Sequence, residues 1–201
     1  FSAGGDIRQV MNHPHGAVTA FSHLAAVVNT CVIEIRRMSK PVVAAVNGVA
    51  AGGGFSLALA CDFRVMADTA QLRQGFTSNG LCIDGGSTFM MPRLIGLARA
   101  LEIAALDEPI SAEQALSMGL VNRVVDVGEV VAAARLFVDQ VRQRSLHTFG
   151  WSKLLLNNAL ETPLETQLEL ERQGLRSCAA HPDGREGMTA FLEKRAPRFN
   201  Q

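Results

Sequence analysis

The sequence has no excess of charge of either sign. It contains 19 lysine and arginine residues against 19 aspartate and glutamate residues, so its formal net charge is zero. A balanced chain exerts no general attraction on nucleic acid or on anionic membranes, although a local basic patch is compatible with the balance. We therefore expect neither a nucleic-acid partner nor a membrane partner.

Long apolar runs and paired cysteines are also missing. No run of eighteen apolar residues is present, so we expect no membrane-spanning segment. Cys31, Cys61, Cys82 and Cys178 form no CxxC pair, and the histidines are scattered without the spacing of metal ligands. We expect free thiols, a reducing cytoplasmic location and no metal site.

The chain does have enough apolar residues for a sizeable core. Hydrophobic residues make up 48% of its 201 residues and charged residues 19%, which favours one domain with a helical appendage. No internal repeat or low-complexity linker interrupts it. The sequence opens on Phe1 rather than methionine, with no signal sequence after it, so we expect it to be part of a longer chain.

The first half of the chain alternates between helix and strand patterns. Apolar residues recur every three or four positions over residues 17–38, which predicts a helix. The apolar run 42–48 predicts a strand buried on both faces, and a triple-glycine turn leads into a buried helix at 55–61. A strand follows at 63–67. This order favours an α/β fold with parallel strands.

The second half begins with a predicted helix at 97–106. Ser111 and Gln114 form a capping box that opens another helix, Gly119 follows its end, and residues 121–125 suit a short strand.

From about residue 128 the pattern is helical. A second capping box is predicted from Thr162 to Glu165, with Pro163 at the first helical position. We therefore divide the chain into an α/β core at 1–127 and a helical region at 128–201.

Two glycine-rich turns could bind a ligand through the backbone. One covers residues 3–6 and the other residues 52–54, between a strand and a helix. Facing each other, they would offer two N–H donors to one oxygen, an oxyanion hole suited to a thioester carbonyl that becomes an enolate. From the triple-glycine turn alone, ordinary turn chemistry is the simpler interpretation.

A set of motifs, in order along the chain, resembles the signatures of the crotonase (enoyl-CoA hydratase/isomerase) family. The ordered set is far more specific than any single motif. The matching segments are 1–7, 40–48 with 51–54 and 61–62, 83–88 with 92–94, 111–115 with 119–121, and 184–187 with 191–195. Family members normally carry further chain before the first motif, which supplies the first strands of the sheet.

The resemblance implies a crotonase-like ββα spiral core with a helical C-terminal trimerisation region, assembled as a homotrimer or a dimer of trimers. It implies an acyl-CoA thioester substrate, with coenzyme A as part of the substrate and no separate cofactor. The oxyanion donors would be the backbone N–H groups of Gly5 and Gly53. Arg8 could meet a CoA phosphate or be a solvated surface residue. The residues implied to flank the CoA thioester are Ala3, Gly5, Asp6, Ile7, Arg8 and Gly53.

The sequence departs from the family's hydratases at both of their catalytic glutamates. Ser56 and Phe76 occupy the two positions. Ser56 could hold a water or, as we favour, satisfy a helix backbone group. Phe76 would make an acyl pocket drier. The residues expected to line that pocket are Ser56, Phe76, Leu81 and Phe89.

Asp84 is the remaining acid/base candidate. The sequence here is similar to family branches that shift a double bond or rearrange a ring epoxide, especially the phenylacetate-pathway isomerases. Asp84 would carry a proton from the α-carbon to the γ-carbon, and burial beside Phe76 and Phe89 would raise its pKa. The structural alternative is a helix N-cap. The functional alternatives are a hydratase that uses Asp84 with Ser56, and an acyl-CoA-binding or RNA-binding scaffold without turnover.

Overall fold

The computed structural model describes residues Phe1 to Gln201 as an alternation of helices and short strands. The helices are α1 (Ile7–Met11), α2 (Gly16–Arg37), α3 (Gly53–Ala60), α4 (Ser87–Ile95), α5 (Leu97–Leu106), α6 (Ala112–Met118), α7 (Val130–Arg142), α8 (Leu146–Asn158), α9 (Leu164–Ala180) and α10 (Pro182–Leu192). The strands are β1 (Val43–Val46), β2 (Ala50–Ala51), β3 (Phe63–Ala67), β4 (Gln71–Arg73), β5 (Ile110–Ser111) and β6 (Arg123–Val125).

The strands form two small sheets. The first has the order β1-β3-β6 and is parallel throughout, which confirms the predicted α/β arrangement. The second has the order β2-β4-β5, in which β2 and β4 are parallel and β5 is antiparallel to β4. Ser2 extends the second sheet by a parallel bridge to Ala50. This bridge ties the start of the chain to the segment before α3.

The core is built from residues of both sheets and of α3, with further helices packed against them. Phe55 and Leu59 of α3, together with Val65, Met66 and Leu72, have no exposed surface. Helix α3 is apolar on every side apart from Ser56, as its sequence predicted. It is therefore a rigid central element, and it begins at the glycine turn.

Helix α2 is long and apolar enough to cross a membrane by length and composition alone. Its most apolar window has a mean hydropathy of 1.6 and is 6% buried. The sequence predicted no membrane-spanning segment because no run of eighteen apolar residues is present, and that stays a prediction. A single such helix near the N-terminus is a weak indication of a membrane span, because core helices of soluble proteins and signal sequences meet the same criteria.

The capping predictions had opposite outcomes. At α6, the Ser111 hydroxyl accepts from Gln114 N at 3.2 Å and the Gln114 side chain accepts from Ser111 N at 2.8 Å, so the capping box is confirmed. The second predicted box is wrong, since Thr162 donates to Asn158 O at 2.9 Å and makes no cap for α9. The hydroxyl closes the preceding helix instead of opening the next.

The chain folds into two compact units. The first comprises Phe1–Arg36 and Val42–Ala134, and the second comprises Arg37–Pro41 and Arg135–Gln201. The boundary falls inside α7, later than the predicted division between residues 127 and 128. Both sheets and α3 belong to the first unit, whereas α8, α9 and α10 belong to the second.

Candidate active site

The two glycine-rich turns lie against each other, as the oxyanion-hole hypothesis required. Gly4 has a φ of 87°, and a β-carbon on it would lie 2.8 Å from Ala51 O and 2.9 Å from Gly53 N. Only glycine fits such a contact. The Ser2 backbone holds the two turns together, because Ala51 N donates to Ser2 O at 2.9 Å.

Gly5 and Gly53, the two predicted donor residues, both have free amides. Neither N–H donates a hydrogen bond within the chain. Gly53 is the first residue of α3, and its N-cap, Gly52, brings no side chain to the helix end. Amides at a helix N-terminus favour a developing negative charge. This edge of the core can therefore receive an oxyanion.

The rest of the first loop is exposed and forms a short helix. The Asp6 carboxylate caps α1 by accepting from Arg8 N at 2.9 Å and from Gln9 N at 3.2 Å. Its contacts are therefore those of a helix cap. Ala3, Ile7 and Arg8 are exposed.

Asp84 lies in the turn before α4 and does not cap that helix. The N-cap is Gly86, in a left-handed conformation, and no side chain caps the helix. The Asp84 side chain is half-buried and makes no hydrogen bond or ion pair within the chain. Burial raises the pKa of its carboxyl above the ordinary value, in the predicted direction. A carboxylate without a partner is available to a bound substrate.

Ser56 contacts the Asp84 turn. Its hydroxyl donates to Asp84 O at 2.8 Å and lies 2.9 Å from the Ser87 hydroxyl, whereas its contact with Gly52 O in its own helix is 3.5 Å. Ser56 is fully buried. It was expected to line the pocket, but its hydroxyl is committed to the turn.

Phe76 is half-buried in a tight turn that two buried polar side chains hold in place. The Gln74 side chain accepts from Phe76 N at 2.9 Å. Asp107 accepts from Gly75 N at 2.8 Å and from Ser78 N at 3.1 Å. A β-carbon on Gly75 would lie 3.3 Å from the N atom of Gly52, so this turn packs on the glycine turn before α3.

Phe89 does not form the expected buried wall beside Asp84. Its ring is 40% exposed and lies beneath the Arg93 guanidinium, whose central carbon is 3.4 Å from the ring centroid. The ring therefore forms a cation–π pair on α4. Leu81 is half-buried in the segment that leads to Asp84.

One face of α2 covers the site, which the sequence reasoning missed. Leu24, Val28 and Val32 recur at four-residue steps and lie next to Gly5, Gly85 and Gly86 respectively. A β-carbon on Gly5 would be 3.0 Å from Leu24 Cδ2, and one on Gly85 would be 3.6 Å from Val28 Cγ1. The apolar period of α2 was evident from the sequence, but the residues that these side chains contact were not.

The arrangement combines two free amides with one partner-free carboxylate. The model of the family described as enoyl-CoA hydratase/isomerase matches residues 1–201, the whole chain. The chain belongs to the enoyl-CoA hydratase/isomerase family. It is an acyl-CoA enzyme of that family, and it has the crotonase α/β fold.

Relatives with this fold carry more than one activity in their names. The 1,2-epoxyphenylacetyl-CoA isomerase of Escherichia coli is 36% identical over 99% of this chain and 76% of its own length. The crotonyl-CoA hydratase of Syntrophomonas wolfei is 35% identical over 99% and 75%. The crystal structure of an enoyl-CoA hydratase from Polaromonas is 36% identical, with a TM-score of 0.93 over 100% of this chain and 78% of that one. The similarity thus assigns the family but does not distinguish between isomerase and hydratase activity.

Proposed function

We propose that this protein is an enoyl-CoA isomerase, which shifts a double bond or rearranges a ring epoxide in a CoA thioester with Asp84 as its proton shuttle. The observation that carries the proposal is the half-buried Asp84 carboxylate without a partner, in the same unit as the free Gly5 and Gly53 amides. Serine and phenylalanine stand where the family's hydratases carry glutamates.

In the proposed reaction, the thioester oxygen accepts hydrogen bonds from the Gly5 and Gly53 amides. Ionised Asp84 removes a proton from the α-carbon of a 3-enoyl thioester, and the electron pair of that C–H bond moves onto the thioester oxygen. The two amides stabilise this dienolate. Asp84 then returns the proton to the γ-carbon, which leaves a conjugated 2-enoyl thioester. The reaction is redox-neutral and needs no resident cofactor.

A single carboxylate suits this shuttle better than it suits hydration. Water addition needs a second polar group to orient the water. Ser56 is a poor candidate for that role, because its buried hydroxyl already bonds to Asp84 O and contacts the Ser87 hydroxyl. Phe76 has no polar side-chain atom. These two positions favour the isomerase over the hydratase alternative.

The first experiment follows conjugation of a 3-enoyl-CoA by ultraviolet absorbance, with Asp84→Asn measured beside the wild type. We expect the variant to lose a factor of about 10²–10⁴ in kcat, the usual contribution of general acid–base catalysis. CoA-thioester binding, measured by calorimetry, should be retained. Asp68→Asn is the matched control, because that exposed carboxylate accepts only the backbone N–H of Thr69 and is assigned no role in binding or proton transfer.

Two results would contradict the proposal. Hydration of crotonyl-CoA faster than conjugation would establish the hydratase alternative. Thioester binding without turnover of an aliphatic 3-enoyl-CoA or of a ring-epoxide thioester would establish a scaffold.

We also propose assembly through the C-terminal helical region as a homotrimer or a dimer of trimers. Large apolar side chains in this region are exposed, which suits burial against other copies. They include Leu156 at 74%, Leu160 at 71%, Leu175 at 73%, Phe191 at 82% and Leu192 at 80% exposed. Light scattering would measure the mass, and a monomer would contradict this proposal.

A further inference from the structure

We propose that Ser56 and Ser87 are positioning residues that hold Asp84 for proton transfer, through the main-chain carbonyl of Asp84. The inference rests on the proposed function, because that function gives Asp84 its proton-transfer role. It assigns a purpose to the serine that stands in place of a hydratase glutamate.

The contacts form a closed triangle. Asp84 O lies 2.8 Å from the Ser56 hydroxyl and 2.8 Å from the Ser87 hydroxyl, and the two hydroxyls are 2.9 Å apart. Each hydroxyl has one proton to donate, so either both donate to the carbonyl or one donates to the other. In both arrangements the Asp84 backbone is tied to α3 and to the first residue of α4.

The burial of both serines indicates that these hydrogen bonds are needed in the fold. Ser56 and Ser87 are both fully buried, and Ser56 is the only polar side chain of α3. A hydroxyl in such surroundings is costly unless it is hydrogen-bonded. The shortest hydrogen bond of Ser56 goes to the Asp84 turn. Loss of the Ser56 hydroxyl should therefore disturb this turn more than the core.

The position of Ser56 also links the proposed base to the proposed oxyanion donor. Ser56 and Gly53 are three residues apart on α3, about 4.5 Å along the helix axis at the usual rise per residue. One rigid helix therefore carries the Gly53 amide and the anchor of Asp84. This helix therefore sets the spacing between the Gly53 amide and the Ser56 hydroxyl that holds the Asp84 turn.

The Asp84 turn lies close against Ser56. Gly85 has a φ of 59°, and a β-carbon on it would lie 2.7 Å from Ser56 Cβ. The turn thus packs directly on Ser56, and a side chain at position 85 would clash with it. Position 56 is therefore in direct contact with the turn that carries Asp84.

The test measures kcat and KM for conjugation of a 3-enoyl-CoA in Ser56→Ala, in Ser87→Ala and in the double variant. Each single variant leaves one hydroxyl on the carbonyl, so we expect a loss on the order of tenfold in kcat for each. The double variant should lose about 10²-fold, the scale of a catalytic group misplaced by 1 Å. KM should change by less than about twofold, because uniform binding is untouched. Ser145→Ala is the matched control, since Ser145 is a buried serine that caps α8, and its kcat should be unchanged.

The same substitution in the Asp84→Asn background isolates the positioning role. If Ser56 acts through Asp84, then Ser56→Ala has no further effect on the residual rate of Asp84→Asn. An equal loss in both backgrounds would overturn the inference, because it would indicate general damage to the oxyanion site. An unchanged kcat in the double serine variant would also overturn it.

Failure of the proposed function gives a different result. If the wild type shows no turnover, the proposed function is wrong. Amide hydrogen exchange then tests whether Ser56 holds the Asp84 turn. Selectively faster exchange at residues 84–90 in Ser56→Ala would keep the anchor for whatever chemistry Asp84 performs. Unchanged exchange there would overturn the anchor as well.

Discussion

When a carboxyl group is half-buried and has no partner, its surroundings favour the protonated form over the charged one. Burial raises the pKa of Asp84, and no ion pair or side-chain hydrogen bond offsets the effect. Because Asp84 must be ionised to remove a proton, activity should rise with pH through this raised pKa. The acid limb of kcat/KM should therefore lie above about 3.9, the ordinary aspartate value.

The same shift predicts an effect on stability of the opposite sign. Between the ordinary pKa and the raised one, the folded chain binds more protons than the unfolded chain, so the free energy of unfolding falls as pH rises. Asp84→Asn removes this cost. We expect its Tm at neutral pH to equal or exceed that of the wild type, and the difference to vanish below about pH 4. A clearly lower Tm for Asp84→Asn would mean that the carboxylate has a stabilising partner.

Single residues show where reasoning from sequence reached its limit. The conformational demands on Gly4 and on the triple-glycine turn follow from glycine chemistry and from motif order. The chief partner of Ser56 did not, because it lies 28 residues away, in another element. A serine inside an apolar helix predicts a bond to its own backbone, and only the packing of the Asp84 turn supplies a stronger acceptor.

At the scale of elements, the turn from Gln74 to Ser78 depends on Asp107. Burial alone would raise the pKa of Asp107, but hydrogen bonds from Ser78 and Gly75 and the charge of Arg73 outweigh it and lower the pKa. The carboxylate therefore stabilises the fold at neutral pH. This contribution is lost as pH falls below about 3.9 through the depressed pKa.

Replacement of this carboxylate should loosen the turn that carries Phe76. We expect Asp107→Asn to lower the free energy of unfolding by about 1–3 kcal/mol at neutral pH, because an amide nitrogen replaces one acceptor of the Gly75 and Ser78 N–H groups. Urea unfolding measures the loss. Asp68→Asn is the control, since its exposed carboxylate also accepts a backbone N–H, that of Thr69 at 2.9 Å. An equal and small effect in both variants would contradict the assignment.

Elements with a strong local signal were predictable, and those defined by distant partners were not. The helix at 97–106 and the strand at 63–67 occur where their patterns placed them. The second sheet was missed, because β2 and β5 have two residues each and exist only through pairing with β4. At Thr162 the local pattern was ambiguous, and the hydroxyl donates to Asn158 O at the end of the preceding helix.

At the scale of the whole molecule, the proposed site and the C-terminal helices α8, α9 and α10 belong to different units. Gly5, Gly53 and Asp84 lie in the first unit, and no residue assigned to the reaction lies in the second. Motif order predicted that the site residues precede the C-terminal helical region, and their roles stay a prediction. The position of the boundary within α7 could not be predicted, because a helix continues through it without a change of pattern.

The second unit has a buried carboxylate of its own, Asp183. Burial alone would raise its pKa, but hydrogen bonds from Ser145 and from Asn200 N at 2.9 Å, with the nearby histidines, lower it. Asp183 thereby links the start of α10 to the N-cap of α8 and to the chain's last residues. Its stabilising contribution is present at neutral pH and is lost as pH falls below about 3.9 through the depressed pKa.

Asp183→Asn should therefore destabilise the protein without changing its chemistry. We expect a loss of about 1–3 kcal/mol in the free energy of unfolding at neutral pH, which shrinks as pH falls below about 4. The kcat for a 3-enoyl-CoA, measured well below the Tm, should match the wild type. Asp139→Asn is the control, because its exposed carboxylate lies 3.9 Å from Arg142 in a weak surface pair. A loss of kcat at unchanged Tm would instead connect the second unit to the reaction itself.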